Sequence, residues 1–133
     1  MKNPSIRTLK KKLWIIFSLY VRMRDGLRTT GSKDWGFCFT CGRRYHIKLL
    51  QAGHFISGRH NANLFSEKGT HAQCYNCNIN LKGNTLEYRR KIIELYGEKY
   101  DLILEKENQQ IKQFTVPELE KMIEDYKNKL KEL

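Results

Sequence analysis

The sequence predicts an α+β domain: a strand–loop–strand–helix core with helices added before and after it. Three observations predict this. Two Cys-x2-Cys knuckles, Cys38/Cys41 and Cys74/Cys77, use every cysteine in the chain. Between them, Leu49–Ile56 and Thr70–Cys74 have strand character, separated by a loop over residues 57–70 rich in Ser, Gly, Asn and charge. Apolar residues recur at three- and four-residue steps on both flanks. A length of 133 residues suits one core with helical additions. The expected division is residues 1–97 as N-terminal helix plus core, and residues 98–133 as a helical extension that packs on the core or dimerises.

From the N-terminus, Leu9, Leu13, Ile16, Phe17, Tyr20 and Val21 give one apolar helical face over Ser5–Arg24, ended by Asp25-Gly26. Arg7, Lys10, Lys11, Arg22 and Arg24 make a basic opposite side, either solvated or touching phosphates. Lys10-Lys11-Lys12 before Leu13–Val21 superficially resembles a secretion signal. The apolar run is too short to span a bilayer and leads into Arg22-Met23-Arg24-Asp25 without a small-residue cleavage site, so it reads as a buried helix. Residues 27–37 read as loop. The second knuckle opens into a helix, Lys82-Gly83-Asn84 marks a turn, and Thr85–Tyr96 is helical up to Gly97. Glu98–Gln109 is helical again. Thr115-Val116-Pro117-Glu118 is a capping box. Leu119, Met122, Ile123, Tyr126, Leu130 and Leu133 then form one stripe, fit for packing on the domain or for a dimer contact.

Paired Cys-x2-Cys spacing is a strong signal for a tetrahedral Zn²⁺ site. Two disulfides are the alternative, and knuckle spacing disfavours them; metal-held thiolates imply a reducing compartment. Zinc with four thiolates has no open position, so chemistry would fall to neighbours such as His54 and Asn78. Charge is uneven: residues 1–50 carry twelve Lys/Arg against Asp25 and Asp34, residues 51–90 five against Glu67 and Glu87, and residues 91–133 eight against ten acids. The basic region coincides with the Cys/His cluster, and nucleic acid is the natural polyanionic partner. The sequence holds no other stretch that suggests a membrane span.

Strand, loop, strand and helix, with zinc tying the approach to the first strand to the helix start, make a ββα-metal unit. Here Ala52-Gly53-His54-Phe55, Thr70-His71-Ala72-Gln73-Cys74-Tyr75-Asn76-Cys77-Asn78, Lys82-Gly83-Asn84 and Tyr88-Arg89 resemble the phage recombination endonucleases of the NinG (Rap) type, which are HNH or His-Me finger nucleases. The resemblance runs from the N-terminal helix to about Gly97 and leaves out the C-terminal helices. It implies a metal-dependent endonuclease that cuts branched DNA such as Holliday junctions and D-loops, in the cytoplasm of a bacterial host. His54 would be the general base, a task that suits an imidazole near its own pKa. Asn78, in the first helical turn, would bind a catalytic Mg²⁺ or Mn²⁺ as a hard oxygen ligand. Cys38, Cys41, Cys74 and Cys77 would hold structural zinc. Symmetric cutting of a junction needs two sites, hence a homodimer.

Two departures from the wider HNH pattern stand out. Gly53 takes the place of an acidic residue common before the base histidine. Gly69 takes the place of an asparagine that braces the base-bearing loop, a task left to Asn61 or Asn63. Each site residue also has a plainer reading. His54 could simply pack at a strand end, and Asn78 could cap a helix. His71 is structural, through a hydrogen bond to the loop, or a metal contact. Arg59, His60, Lys82, Arg89 and Arg90 are phosphate contacts or solvated surface. The rival functions are a non-catalytic zinc module that binds nucleic acid, which has no need of a His54/Asn78 pair, and an HNH nuclease of the nicking or homing kind.

Overall fold

The computed structural model describes residues 4–133. Its elements are α1 (Ile6–Thr30), β1 (Trp35–Phe37), β2 (Arg44–His46), β3 (Leu50–His54), α2 (Asn61–Leu64), β4 (Thr70–Cys74), α3 (Thr85–Tyr96), α4 (Tyr100–Asn108) and α5 (Val116–Glu132). A 3₁₀ turn (Ile47–Leu49) precedes β3, and a π turn (Asn76–Asn80) follows β4.

Helix α1 starts where Ser5 accepts a hydrogen bond from the Thr8 amide. It does not stop at Asp25-Gly26, as the sequence suggested, but runs to Thr30 and ends at Gly31, whose φ of 77° suits glycine. Both supposed breakers have work inside the helix. The buried Asp25 carboxylate accepts from the Ala72 amide at 2.7 Å, capping an outer-edge N–H of β4. Arg24, bonded to Asp25, donates to the carbonyls of Glu67 and Thr70, both at 2.7 Å. At Gly26 a Cβ would come within 2.7 Å of the Trp35 carbonyl, so glycine lets β1 lie against the helix.

The stretch read as loop over residues 27–37 therefore contains the end of α1 and strand β1. Strands β1 and β2 pair antiparallel, Gly36 opposite Tyr45, and the first knuckle is their turn. In the second hairpin β4 matches its expected bounds and β3 is shorter than the expected Leu49–Ile56; the two pair antiparallel, with Gly53 opposite His71 and His54 opposite Thr70. Among the described residues, the two hairpins are separate two-stranded sheets.

Leu9, Leu13, Phe17 and Val21 of α1 meet Leu119, Ile123 and Tyr126 of α5 in one core, where the Phe17 and Tyr126 rings meet edge to face at 5.2 Å. Burial of such side chains stabilises by about 1.5–3 kcal/mol each. Only half of the capping box forms at α5. Thr115 accepts from the Glu118 amide, but the Glu118 carboxylate pairs with Lys112 at 2.6 Å instead of reaching back. A second cluster packs Ile47, Leu50 and Ala72 around Cys38, Cys74 and Cys77. A third joins Phe55 to Tyr88, Ile92 and Leu104. Among the described residues, no helix is long and apolar enough to cross a membrane.

Candidate functional site

The four cysteine sulfurs lie within 4.8 Å of one another. A tetrahedron with Zn–S bonds of about 2.3 Å has edges of about 3.8 Å, and Cys41 Sγ stands 3.8 Å from Cys74 Sγ. The Cys41 and Cys77 amides point back at the first sulfur of their own knuckles, at 3.5 and 3.4 Å. Burial pushes the Cys38 thiol up, yet the Cys41 amide, the Thr40 hydroxyl and other donors win and hold it at about 6. Burial, with the Cys38 sulfur beside it, pushes Cys41 up to about 12. One thiolate thus forms easily and obstructs the next, a conflict that a shared dication resolves. The donor set fits zinc.

Beside this cluster a cleft of about 710 Å³ opens between α1, β3 and the chain from the π turn to Gly83. His54 and Asn78 both line it, with Trp14, Ser18 and Arg22 from α1, Gln51 from β3, and Arg59 and Lys82 from the adjoining loops. None of its lining residues is acidic.

The His54 ring stacks on Trp14 with centroids 5.2 Å apart and planes 22° apart. Its Nε2 lies 3.0 Å from the Leu64 carbonyl. A carbonyl only accepts, so Nε2 carries the proton and Nδ1 keeps its lone pair. Burial lowers the His54 pKa below the usual histidine range; the bond to Leu64 opposes this and Arg59 adds to it. The loop carrying Leu64 is braced by Asn63, which is buried and donates to the Ile56 carbonyl at 2.9 Å. Asn61 instead joins Lys10 and the Lys112 carbonyl. Of the two asparagines proposed for the brace, Asn63 ties the chain just after His54 to α2.

Asn78 sits in the π turn, ahead of α3 rather than in its first turn. Its Nδ2 donates to Gln51 Oε1 at 2.8 Å, which directs Oδ1 toward Gly53. Oδ1 accepts no hydrogen bond from the described residues and is a hard oxygen donor for a divalent cation.

Gly53 has a local cause. A Cβ there would run deep into the buried Gln73 amide and come within 2.9 Å of Asn78 Oδ1. Gln73 Nε2 donates to Thr40 at 3.1 Å and to the Gly83 carbonyl at 2.9 Å, pinning the Lys82-Gly83-Asn84 turn to the sheet. Its Oε1 is buried without a conventional partner and faces the Gly53 backbone. Gly53→Ala is expected to destabilise by about 1–3 kcal/mol, the usual cost of overpacking. A denaturation double-mutant cycle with Gln73→Ser should recover part of it, and additive losses would mean the two positions do not clash.

The remaining expected site residues divide. Arg59 and Lys82 line the cleft, Arg59 with its guanidinium 4.7 Å from the Trp14 ring centroid. Arg89 does not: its guanidinium bonds Asp101 and Glu105, tying α3 to α4. Arg90 pairs with Glu87 one turn away on α3. His60 folds back over Gly58 and lines a separate small cavity beside Asn108 and Lys112. His71 is fully buried outside the cysteine cluster; its hydrogen bonds go to Tyr96 at 2.7 Å and Tyr88 at 3.4 Å on α3, not to the loop. Burial, opposed by nearby Asp25, drops its pKa to about 3, so it stays neutral. Tyr88 in turn donates to the Gly53 carbonyl at 2.6 Å, steadying the strand just before His54.

Sequence reasoning passed over Trp14 and Gln51, and placed Arg22 on a basic helix face, solvated or touching phosphates, without joining it to the site. Arg22 donates to the Ser18 and Ile47 carbonyls, both at 3.2 Å, and has no acidic partner among the described residues. Burial alone pulls its pKa down. A half-buried cation without an anion is suited to a phosphate. The sequence signal was a basic residue directly after the apolar run that ends at Val21.

No curated protein and no solved structure matches the chain. The family model described as Bacteriophage Lambda NinG protein matches residues 4–133, which takes in both the cleft and the C-terminal helices, and the chain belongs to that family.

Proposed function

We propose that this protein is a metal-dependent DNA endonuclease of the HNH, or His-Me finger, type that cleaves branched recombination intermediates such as Holliday junctions and D-loops. The observation that carries the reading is one acid-free cleft holding a neutral imidazole, a directed amide oxygen and three cations. His54 Nδ1 takes a proton from water as the water oxygen bonds to phosphorus. The bond from phosphorus to the 3′ oxygen breaks, and that oxygen gains a proton from solvent, leaving 5′-phosphate and 3′-hydroxyl ends. Arg22 and Lys82 hold the phosphate oxygens, and the stack on Trp14 fixes the plane of the base. Asn78 would hold Mg²⁺ or Mn²⁺, which supplies charge stabilisation at the phosphate and leaving oxygen. The cysteines would hold zinc and keep the π turn against β3. A homodimer would cut both strands of a junction, in the bacterial cytoplasm where phage DNA recombines.

The test is incubation with labelled four-way junction, duplex and single-stranded DNA, with and without Mg²⁺ or Mn²⁺. Metal-dependent scission of the junction ahead of duplex is expected. Equal nicking of plain duplex would favour a nicking or homing role. A second reading, nucleic-acid binding without cleavage, draws on Gly53, which leaves a catalytic metal one side-chain ligand; binding without scission under every metal would select it.

The His54 environment also sets a pH profile. Only the neutral ring accepts a proton, and its pKa lies below the ordinary value of about 6.5. Single-turnover cleavage is expected to hold level through neutral pH and to fall only below that value. A fall that begins above it would remove His54 as the base.

A further inference from the structure

A second groove of about 590 Å³ adjoins the cleft and shares Trp14 and Arg59 with it. Arg7, Lys10 and Lys11 from α1 line it, and none of its lining residues is acidic. Its other lining side chains are apolar: Ile6 and Ile15 from α1, and Leu64 from α2. Ile15 is 70 % exposed. Lys10 is held by Asn61 at 2.7 Å, while Arg7 and Lys11 make no ion pair among the described residues.

We infer that this groove holds an unpaired DNA strand that continues from the strand seated in the cleft. The inference rests on reading the cleft as a DNA site. Cations with no acid select a polyanion, and the shared Trp14–Arg59 wall makes the two cavities one track. The apolar side chains decide between paired and unpaired DNA. A duplex laid on a protein presents phosphates and sugars and keeps its bases stacked inside, so Ile6 and Ile15 would gain little from it. An unpaired strand can turn base faces onto those side chains while its phosphates meet Arg7 and Lys11. Branch points are where such a strand leaves a duplex.

The experiment is fluorescence anisotropy with the full chain, zinc-loaded and without added divalent ions or chelator, so that no cleavage occurs. Blunt duplex is compared with the same duplex carrying an unpaired tail at either strand end, over a salt series. For the unaltered protein the tail should raise affinity severalfold. Arg7→Gln with Lys11→Gln should remove that increment and lower the slope of log K against log salt by about 0.7 per lost contact. Ile15→Ser should reduce the increment with no change of slope. All three positions are exposed, so the variants keep the fold, which thermal melting checks. The inference is overturned if the tail adds nothing, if the variants weaken blunt and tailed DNA equally, or if they lose only binding to poly-glutamate, which would make the groove a seat for an acidic protein segment. A protein that shows the tail increment and its loss, yet never cuts with Mg²⁺, keeps the groove and loses the nuclease reading.

Discussion

His54→Ala is expected to slow single-turnover cleavage of a four-way junction by about 10²–10⁴-fold, the contribution usual for a positioned base, while leaving junction binding intact. The separation follows from where the charges sit. On the proposed reading Arg22, Arg59 and Lys82 would supply the attraction for phosphate, and burial lowers the His54 pKa toward the neutral ring, so its loss would remove no binding charge. His54→Gln is the control for packing, since an amide retains bulk against Trp14 but cannot take up a proton. Equal loss of binding and cleavage in the alanine variant, with both retained in the glutamine variant, would make His54 a packing residue that holds Trp14 and α2 in place. Asn78→Ala should mimic the alanine variant and respond to a change of divalent metal; His54→Ala should not.

Zinc removal carries the largest expected effect on stability. Chelation, or Cys74→Ser, should abolish cooperative thermal unfolding in circular dichroism rather than shift it. Structural zinc in small domains contributes about 10–16 kcal/mol, comparable to or greater than the whole stability of a domain this size, about 5–15 kcal/mol. The dependence here is direct, because Cys38, Cys74 and Cys77 are themselves buried among Ile47, Leu50 and Ala72. Without the ion, one hairpin turn and the π turn lose their common anchor. An unaltered melting curve after verified metal removal would eliminate the four-cysteine site.

What the sequence revealed, and what it hid, follows physical lines. Strand β4 and the cysteine cluster were legible because each is local: a five-residue run and a fixed spacing. Strands β1 and β2 were hidden because three residues carry too little alternation, and β1 is held largely by α1 from one side. The end of α1 was misplaced because Asp25-Gly26 looks like a stop signal. Only the distant edge of β4 explains a carboxylate inside that helix. Asn78 was expected near His54, and the two line one cleft, but it sits in a π turn rather than a first helical turn, since a π turn has no distinct spacing of its own. Arg89 was assigned to phosphate from a motif, whereas its partners, Asp101 and Glu105, arrive from a helix the resemblance did not cover. For Arg22 only the place in the cleft was hidden: a basic residue on a basic helix face carries no mark that it turns into a cavity.

The contact between Gly53 and Gln73 also bears on how such a chain can change by descent. Position 53 is where many HNH enzymes keep an acidic residue, yet here any side chain meets the Gln73 amide. Altering position 53 first sets a new side chain against the Gln73 amide, so that order lowers stability before a carboxylate there could serve a metal. Shortening Gln73 first avoids the clash but frees the Gly83 carbonyl and the turn it holds. The two positions are therefore expected to change together, and relatives that carry an acid before the histidine corresponding to His54 should carry a small residue across the hairpin from position 51.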